Sequence, residues 1–286
     1  MNVIRRICGF FALLLISVSS YPQADAGIYL LVRGDDIGSS HTANVACIES
    51  YLNGIVRSVE LMVPCPWFPE AVRLLSENPG LDVGVHLVMT SEWNDIKWRP
   101  LTCCPSLVDK DGYFYPMVWQ RPDFPKNTAL KDAPWKLNEF EQELRAQIEM
   151  AKKYVPRVSH IDYHMGFESI GPEIASLVKR LAVEYNLDID AESIGYQHID
   201  LWNSKDTTVE LRIISAANSL KNLKPGEYFF VEHPGMNTTE MQAIWHKGYE
   251  SVVSDRDAVT KVFTSREIMN IIRSREIILV SYKEAK

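Results

Sequence analysis

The sequence has no run of basic residues anywhere in its 286 positions. Its 30 Lys and Arg are outnumbered by 37 Asp and Glu, for a formal net charge of −7. That balance makes nucleic acid and anionic membranes poor partners, because a phosphate backbone is bound mainly through clustered cations. Cysteine is scarce, five residues in all. The cysteines are neither dense nor at zinc-ribbon spacing, which excludes a small disulfide-stapled scaffold. Beyond residue 26 no stretch is apolar over the roughly 20 residues that a membrane-spanning helix needs. No internal repeat, low-complexity tract or linker divides the chain, and no local H-E-x-x-H spacing marks a metal site.

What the chain does have begins with an export signal. Arg5 and Arg6 form a positive start, Ile7–Val18 an apolar run, and Ala24-Asp25-Ala26 a small-residue cleavage site. An uncleaved anchor is the alternative. Cys8 lies at the start of the apolar run and not after it, so no lipoprotein cysteine is expected. Residues 1–26 are therefore read as a signal peptide and 27–286 as one domain, periplasmic or extracellular after cleavage. Removing Arg5, Arg6 and Asp25 leaves 28 basic and 36 acidic residues, a net charge of −8, which suits a neutral or cationic substrate. Cys47, Cys65, Cys103 and Cys104 remain. Cys47 falls in a helical pattern and reads as a buried thiol, and one of Cys103 and Cys104 could bridge to Cys65.

Strand and helix signals alternate. Strands are expected at Ile28–Arg33, Val56–Val63, Leu81–Val88, Val158–Tyr163, Leu187–Ala191, Tyr228–Glu232 and Ile277–Ser281. Helices are expected at His41–Leu52, Trp67–Glu77, Leu137–Tyr154, Pro172–Tyr185, Val209–Leu220 and Ser265–Arg273. Seven strands with helical crossovers predict a barrel or a wound parallel sheet. Met89–Trp135 lacks clear periodicity and reads as a long loop.

Acidic and histidine residues stand at four strand ends, where parallel α/β folds build their sites. Asp35 and Asp36 are adjacent, so one can hold a metal while the other faces substrate. The bland reading is a cap for the helix starting near His41. His86 ends an apolar strand. His160, Asp162 and His164 share one strand face, where three polar residues on an apolar strand need a purpose. Asp162 is a candidate to orient a histidine ring. One carboxylate and two imidazoles suit Zn²⁺ or another divalent transition metal better than Ca²⁺, and better than Mg²⁺, which prefers oxygen ligands. A metal-dependent hydrolase is the expectation.

At these residues the chain resembles the YdjC-like carbohydrate deacetylases, the ChbG type that acts on chitooligosaccharides. The matching pieces run in order: Arg33-Gly34-Asp35-Asp36-Ile37-Gly38, Ser58–Val63, Leu81–Leu87, His160-Ile161-Asp162-Tyr163-His164, His233-Pro234-Gly235 and Leu279-Val280-Ser281-Tyr282. The resemblance implies a distorted, TIM-like (β/α) barrel of about seven parallel strands, a divalent metal, and hydrolysis of an N-acetyl group on an amino sugar. It implies Asp36, His86 and His160 as metal ligands, Asp35 as general base and His233 as a late catalytic histidine. Family members often read D-D-F-G where this chain has Asp35-Asp36-Ile37-Gly38, and many carry a small residue in place of Tyr163.

On this reading a metal polarises the acetyl carbonyl, Asp35 takes the water proton, and His233 or His164 protonates the departing amine. The long loop holds four of the seven tryptophans, which makes it a candidate lid. Trp93 is a candidate to stack on sugar, and Arg99 to meet an anionic sugar group. The expected partner is an N-acetylated carbohydrate. Two other readings stand beside it: a same-barrel hydrolase of another amide or ester, and a sugar-binding protein with a dead site.

Overall fold

A computed structural model describes residues 27–285; the expected signal peptide lies outside the described residues. Seven strands form one sheet: β1 (Ile28–Ile37), β2 (Ser58–Leu61), β3 (Asp82–Leu87), β4 (His160–Tyr163), β5 (Gln197–His198), β6 (Gly226–Glu232) and β7 (Ile277–Val280). The spatial order is β4-β3-β2-β1-β6-β5, with β7 paired to the first half of β1. Every ladder is parallel. Helices α1 (His41–Leu52), α2 (Phe68–Glu77), α3 (Leu137–Tyr154), α4 (Pro172–Tyr185), α5 (Val209–Asn222), α6 (Thr239–Gln242), α7 (Val252–Phe263) and α8 (Arg266–Ser274) accompany it. The result is a curled, distorted (β/α) barrel, as expected. Among the described residues, no helix is long and apolar enough to cross a membrane.

The strands read as apolar runs because both of their faces are covered. Leu30, Val32, Val59, Leu61, Val83 and Val85 enter the main core with the helices' apolar faces. A smaller cluster of Leu31, Ile189, Ala191, Tyr196, Phe229, Val280 and Tyr282 gathers residues of β1, β6, β7, the segment between α4 and β5, and the chain after β7.

Three elements differ from expectation. Leu187–Ala191 is not a strand; the fifth strand is Gln197–His198. Asn186 ends α4 in the left-handed conformation, and the next residues run without a ladder between β4 and β5, which do not pair. Leu187, Ile189 and Ala191 are buried there. Their alternation reports burial, not strand pairing. The other two are the short α6 and then α7, which sequence periodicity did not single out. The inward positions of α7 include Val252, Arg256, Val259 and Phe263, and the arginine interrupts the apolar stripe.

The long loop is tied down by one face of α3. Glu143 accepts from Leu101 N (3.1 Å), Thr102 N (2.9 Å) and Thr102 Oγ1 (2.7 Å). Gln147 exchanges two hydrogen bonds with the Val88 backbone, and Glu139 accepts from Ser106. These three side chains lie four residues apart, on one stripe of the helix, and all three are buried. Cys47, Cys65, Cys103 and Cys104 are free thiols, with Cys47 buried as expected and no bridge to Cys65.

Candidate metal centre

The Asp pair sits where β1 loses register with β2. Gly34 pairs with Val59 and Ile37 with Leu61, so the shift falls on Asp35 and Asp36. Asp36 has φ 72°, a left-handed backbone that Asp tolerates better than most side chains. Gly38 follows at φ 105°, and a Cβ there would meet Met62 O at 2.7 Å. The irregularity turns the two carboxylates apart. Neither caps α1, because Ser40 does so by accepting from Ala43 N at 3.0 Å.

Asp36 is the centre of the first group. Its Oδ2 pairs with Arg256 Nη2 at 2.8 Å. Its Oδ1 lies 3.6 Å from His86 Nε2 and 3.5 Å from His164 Nδ1. That oxygen is buried and has no hydrogen-bond partner. The three ligand atoms of Asp36, His86 and His164 lie within 4.8 Å of one another. Oxygen and nitrogen ligands about 2.0–2.1 Å from a tetrahedral Zn²⁺ stand roughly 3.3 Å apart. The spacing and the unpartnered oxygen therefore fit a small divalent cation. Behind His164, Glu92 Oε2 meets its Nε2 at 3.0 Å, the carboxylate–histidine pairing that orients ligating imidazoles.

The charges agree with that fit. Burial works against ionising Asp36, yet Arg256, His233 and His164 hold its carboxyl well below the usual range. Burial would lower His164, but Glu92 and Asp36 outweigh it and raise its pKa to about 10. Without a metal the ring keeps a proton between two carboxylates, and a cation held by Asp36 and His164 would take that proton's place. Burial lowers the pKa of His86, which leaves a neutral ring able to ligate.

His160, the third ligand implied by resemblance, is not brought into this group. In register, His86 stands opposite Asp162, and His160 stands opposite Gly84. Same-face residues two apart on a strand are separated by roughly 6.5 Å, so His160 lies one layer deeper. There its Nε2 meets Glu60 Oε1 at 2.6 Å, its Nδ1 meets Ser159 Oγ at 2.7 Å, and its ring stacks on Tyr282 at 3.7 Å. Glu60 and His160 reach each other across Gly84, where a Cβ would lie 2.2 Å from Glu60 Oε2. Burial drives this pair toward neutral forms, raising Glu60 and lowering His160 to about 4. His164 enters the upper layer because the chain turns after β4, with Met165 and Gly166 left-handed.

Asp35 forms a two-pronged pair with Arg33, Nε to Oδ1 at 2.8 Å and Nη2 to Oδ2 at 3.0 Å. Burial opposes its charge, but Arg33, His86 and His233 lower its pKa. Arg33 also pairs with Asp162 and donates to Tyr282 Oη at 3.0 Å. Asp162 Oδ2 lies 3.9 Å from His86 Nδ1, and Asp35, His86 and Asp162 form a second close group. A cavity of about 180 Å³ opens beside Arg33, Asp162 and Tyr163 at the unpaired edge of the sheet. His233 follows β6 with its side chain 42% exposed. Burial works against its proton, and Asp36 and Glu232 outweigh it, so its pKa rises.

Trp93 and Arg99 do not take the places expected of them. Trp93 is only 4% exposed, stacked on His246 at 5.4 Å, with the Arg256 guanidinium 5.3 Å from its ring centre. It supports Arg256 instead of offering a free face to sugar. Arg99 donates to Asp111 O at 2.7 Å and covers Tyr113 at 4.1 Å, bracing the loop internally. Sequence reasoning missed Arg256, Glu92 and the role of Arg33. Arg256 had one signal, a cation at an apolar helical position; Glu92 lies in an aperiodic loop and had none.

Residues 29–274 match the model of a family described as YdjC-like protein. Proteins from Listeria monocytogenes serotype 4a and Clostridium beijerinckii, both named carbohydrate deacetylase, are 29% identical over 270 and 265 residues. Each alignment covers 89% of this chain and 99% of the relative. Among solved structures, an Enterococcus faecalis V583 protein provisionally named for cellobiose-phosphate cleavage superimposes with a TM-score of 0.69. It is 23% identical, and the match covers 90% of this chain and 98% of that one, a likeness of fold.

Proposed function

The chain belongs to the YdjC-like family, and from that membership we propose that it is an exported, metal-dependent carbohydrate N-deacetylase. The observation that carries the reading is the buried, unpartnered Asp36 Oδ1 between His86 Nε2 and His164 Nδ1. Asp36, His86 and His164 are the ligands we assign, with His160 supporting the layer beneath. Two imidazoles favour Zn²⁺ or another transition metal over Mg²⁺. When bound, the ion supplies a Lewis acid for the acetyl carbonyl and lowers the pKa of a coordinated water.

The chain's own groups do the rest. Asp35, kept ionised by Arg33, is the group we assign to accept the proton of the attacking water. Arg256 fixes Asp36 through Oδ2 and leaves Oδ1 for the ion. Amide cleavage also needs a proton for the leaving amine. His164 has Nδ1 toward Asp36 and Nε2 on Glu92, so both nitrogens are engaged. His233 is partly exposed and its proton is stabilised by Asp36 and Glu232, which makes it the better donor. The substrate class is an N-acetylated amino sugar or oligosaccharide, after the activity for which the two bacterial relatives are named.

Two measurements test this. Free acetate released from N-acetylated oligosaccharides reads the activity, and none from any of them with metal supplied would reject it. Elemental analysis of folded His164→Ala and His160→Ala reads the ligand set. The first loses its metal and the second keeps it; the reverse pattern returns the ligand role to His160. Glu92→Gln weakens metal affinity on the order of 10- to 100-fold, the usual effect of losing a ligand's carboxylate support.

A further inference from the structure

Six basic residues far apart in sequence meet at the end of the barrel opposite the metal centre. Arg57 precedes β2, Lys221 and Lys224 lie at the end of α5, Arg266 and Arg273 are on α8, and Arg275 leads into β7. All but Arg57 are exposed. They line two depressions flanking the α8–β7 connection. One, of about 740 Å³, holds Arg57, Arg266 and Arg273; the other, of about 610 Å³, holds Lys221, Lys224 and Arg275. Glu49 and Glu276 are the acidic residues lining them. The hydrogen bonds of Arg57, Arg273 and Arg275 go to neutral oxygens of Gly54, Val56, Asn270 and Leu223, which leave their charge in place.

We propose that this end of the barrel docks on an anionic lipid bilayer, with the metal centre turned toward solvent. Charge complementarity is the first argument: a chain of net charge −7 gathers uncompensated cations on one face. The second is apolar. Leu52 is 60% exposed on the rim of the first depression and Ile278 45% exposed in the second. Exposed aliphatic side chains among Lys and Arg are the composition of an interfacial surface.

The test compares flotation of the full chain with vesicles of phosphatidylcholine and with vesicles containing phosphatidylglycerol. Taking the ratio of the two cancels the apolar contribution of residues 1–26. The ratio for the native chain exceeds one and falls toward one at high salt, where surface charges are screened. Each basic residue near an anionic surface contributes about a fivefold factor in binding. Lys221→Gln/Lys224→Gln/Arg275→Gln therefore lowers the ratio on the order of 100-fold, while Lys110→Gln/Lys126→Gln on the long loop leaves it unchanged. Circular dichroism and the thermal midpoint confirm that both variants fold. Equal binding to the two vesicle types, or an unchanged ratio in the triple variant, overturns the proposal. Equally tight binding to soluble polyphosphate assigns the face to a free polyanion and also overturns it.

Discussion

Single residues in this barrel work because neighbouring positions are empty or bent. Gly84 is the clearest case. Glu60, Gly84 and His160 stand side by side on β2, β3 and β4, and the glycine leaves room for Glu60 and His160 to meet at 2.6 Å. Gly84→Ala places a methyl against both groups, so overpacking and a broken buried hydrogen bond together cost about 3 kcal/mol, read by urea denaturation. His160 also links stability to pH. Its pKa in the fold is about 4, below the ordinary 6.5, so between those values the unfolded chain binds the extra proton. Its contribution is intact above pH 6.5 and is lost as pH falls toward 4, an effect of about 3 kcal/mol. Glu60, raised by burial, acts in the opposite sense above its ordinary value. His160→Gln therefore loses less stability than the native chain between pH 7 and pH 4, and equal losses would mean that His160 takes up its proton in the fold as readily as in the unfolded chain.

Among the elements, α3 and α7 connect the fold to its site. The stripe of Glu139, Glu143 and Gln147 looks like a solvated charged face in sequence, yet the loop folds over it and takes its hydrogen bonds. Glu143→Ala leaves two backbone amides and the Thr102 hydroxyl without their acceptor. The expected cost is about 2–3 kcal/mol, together with faster proteolytic cleavage within residues 100–135. Unchanged cleavage would show that Glu139 and Gln147 suffice to hold the loop. Helix α7 delivers Arg256 to Asp36, and Trp93 from the loop packs beneath that guanidinium. Loop, helix and candidate metal centre are therefore one mechanical unit, so loosening the loop also disturbs Asp36.

For the whole molecule, charge is distributed unevenly between the two ends of the barrel. Asp35, Asp36, Glu92, Asp162 and Glu232 surround the candidate site at one end, and six cations from Arg57 to Arg275 line the two depressions at the other, beside Glu49 and Glu276. A neutral acetylated sugar gains no long-range attraction from the acidic end. Its kcat/KM is expected to change less than about twofold between low and high salt, while vesicle binding falls steeply over the same range. A strongly salt-dependent kcat/KM would instead indicate a charged substrate.

Much of this was determined by sequence alone. Apolar runs and helix stops specify the strands other than β5 and six of the helices, because these are local patterns, and the ordered D-D, histidine and H-P-G pieces mark Asp35, Asp36 and His86 as candidate site residues through the family resemblance. The tertiary structure decided what depends on register and on distant neighbours. His160 and His164 are equivalent by strand periodicity, and only the pairing of His86 with Asp162 and the turn after β4 place one beneath the centre and the other in it. Arg256 is 220 positions from Asp36, and the six cations that share a face span Arg57 to Arg275. Such meetings leave no local periodicity to read, since a side chain's partner across a sheet or barrel is chosen by the fold and not by the residues beside it.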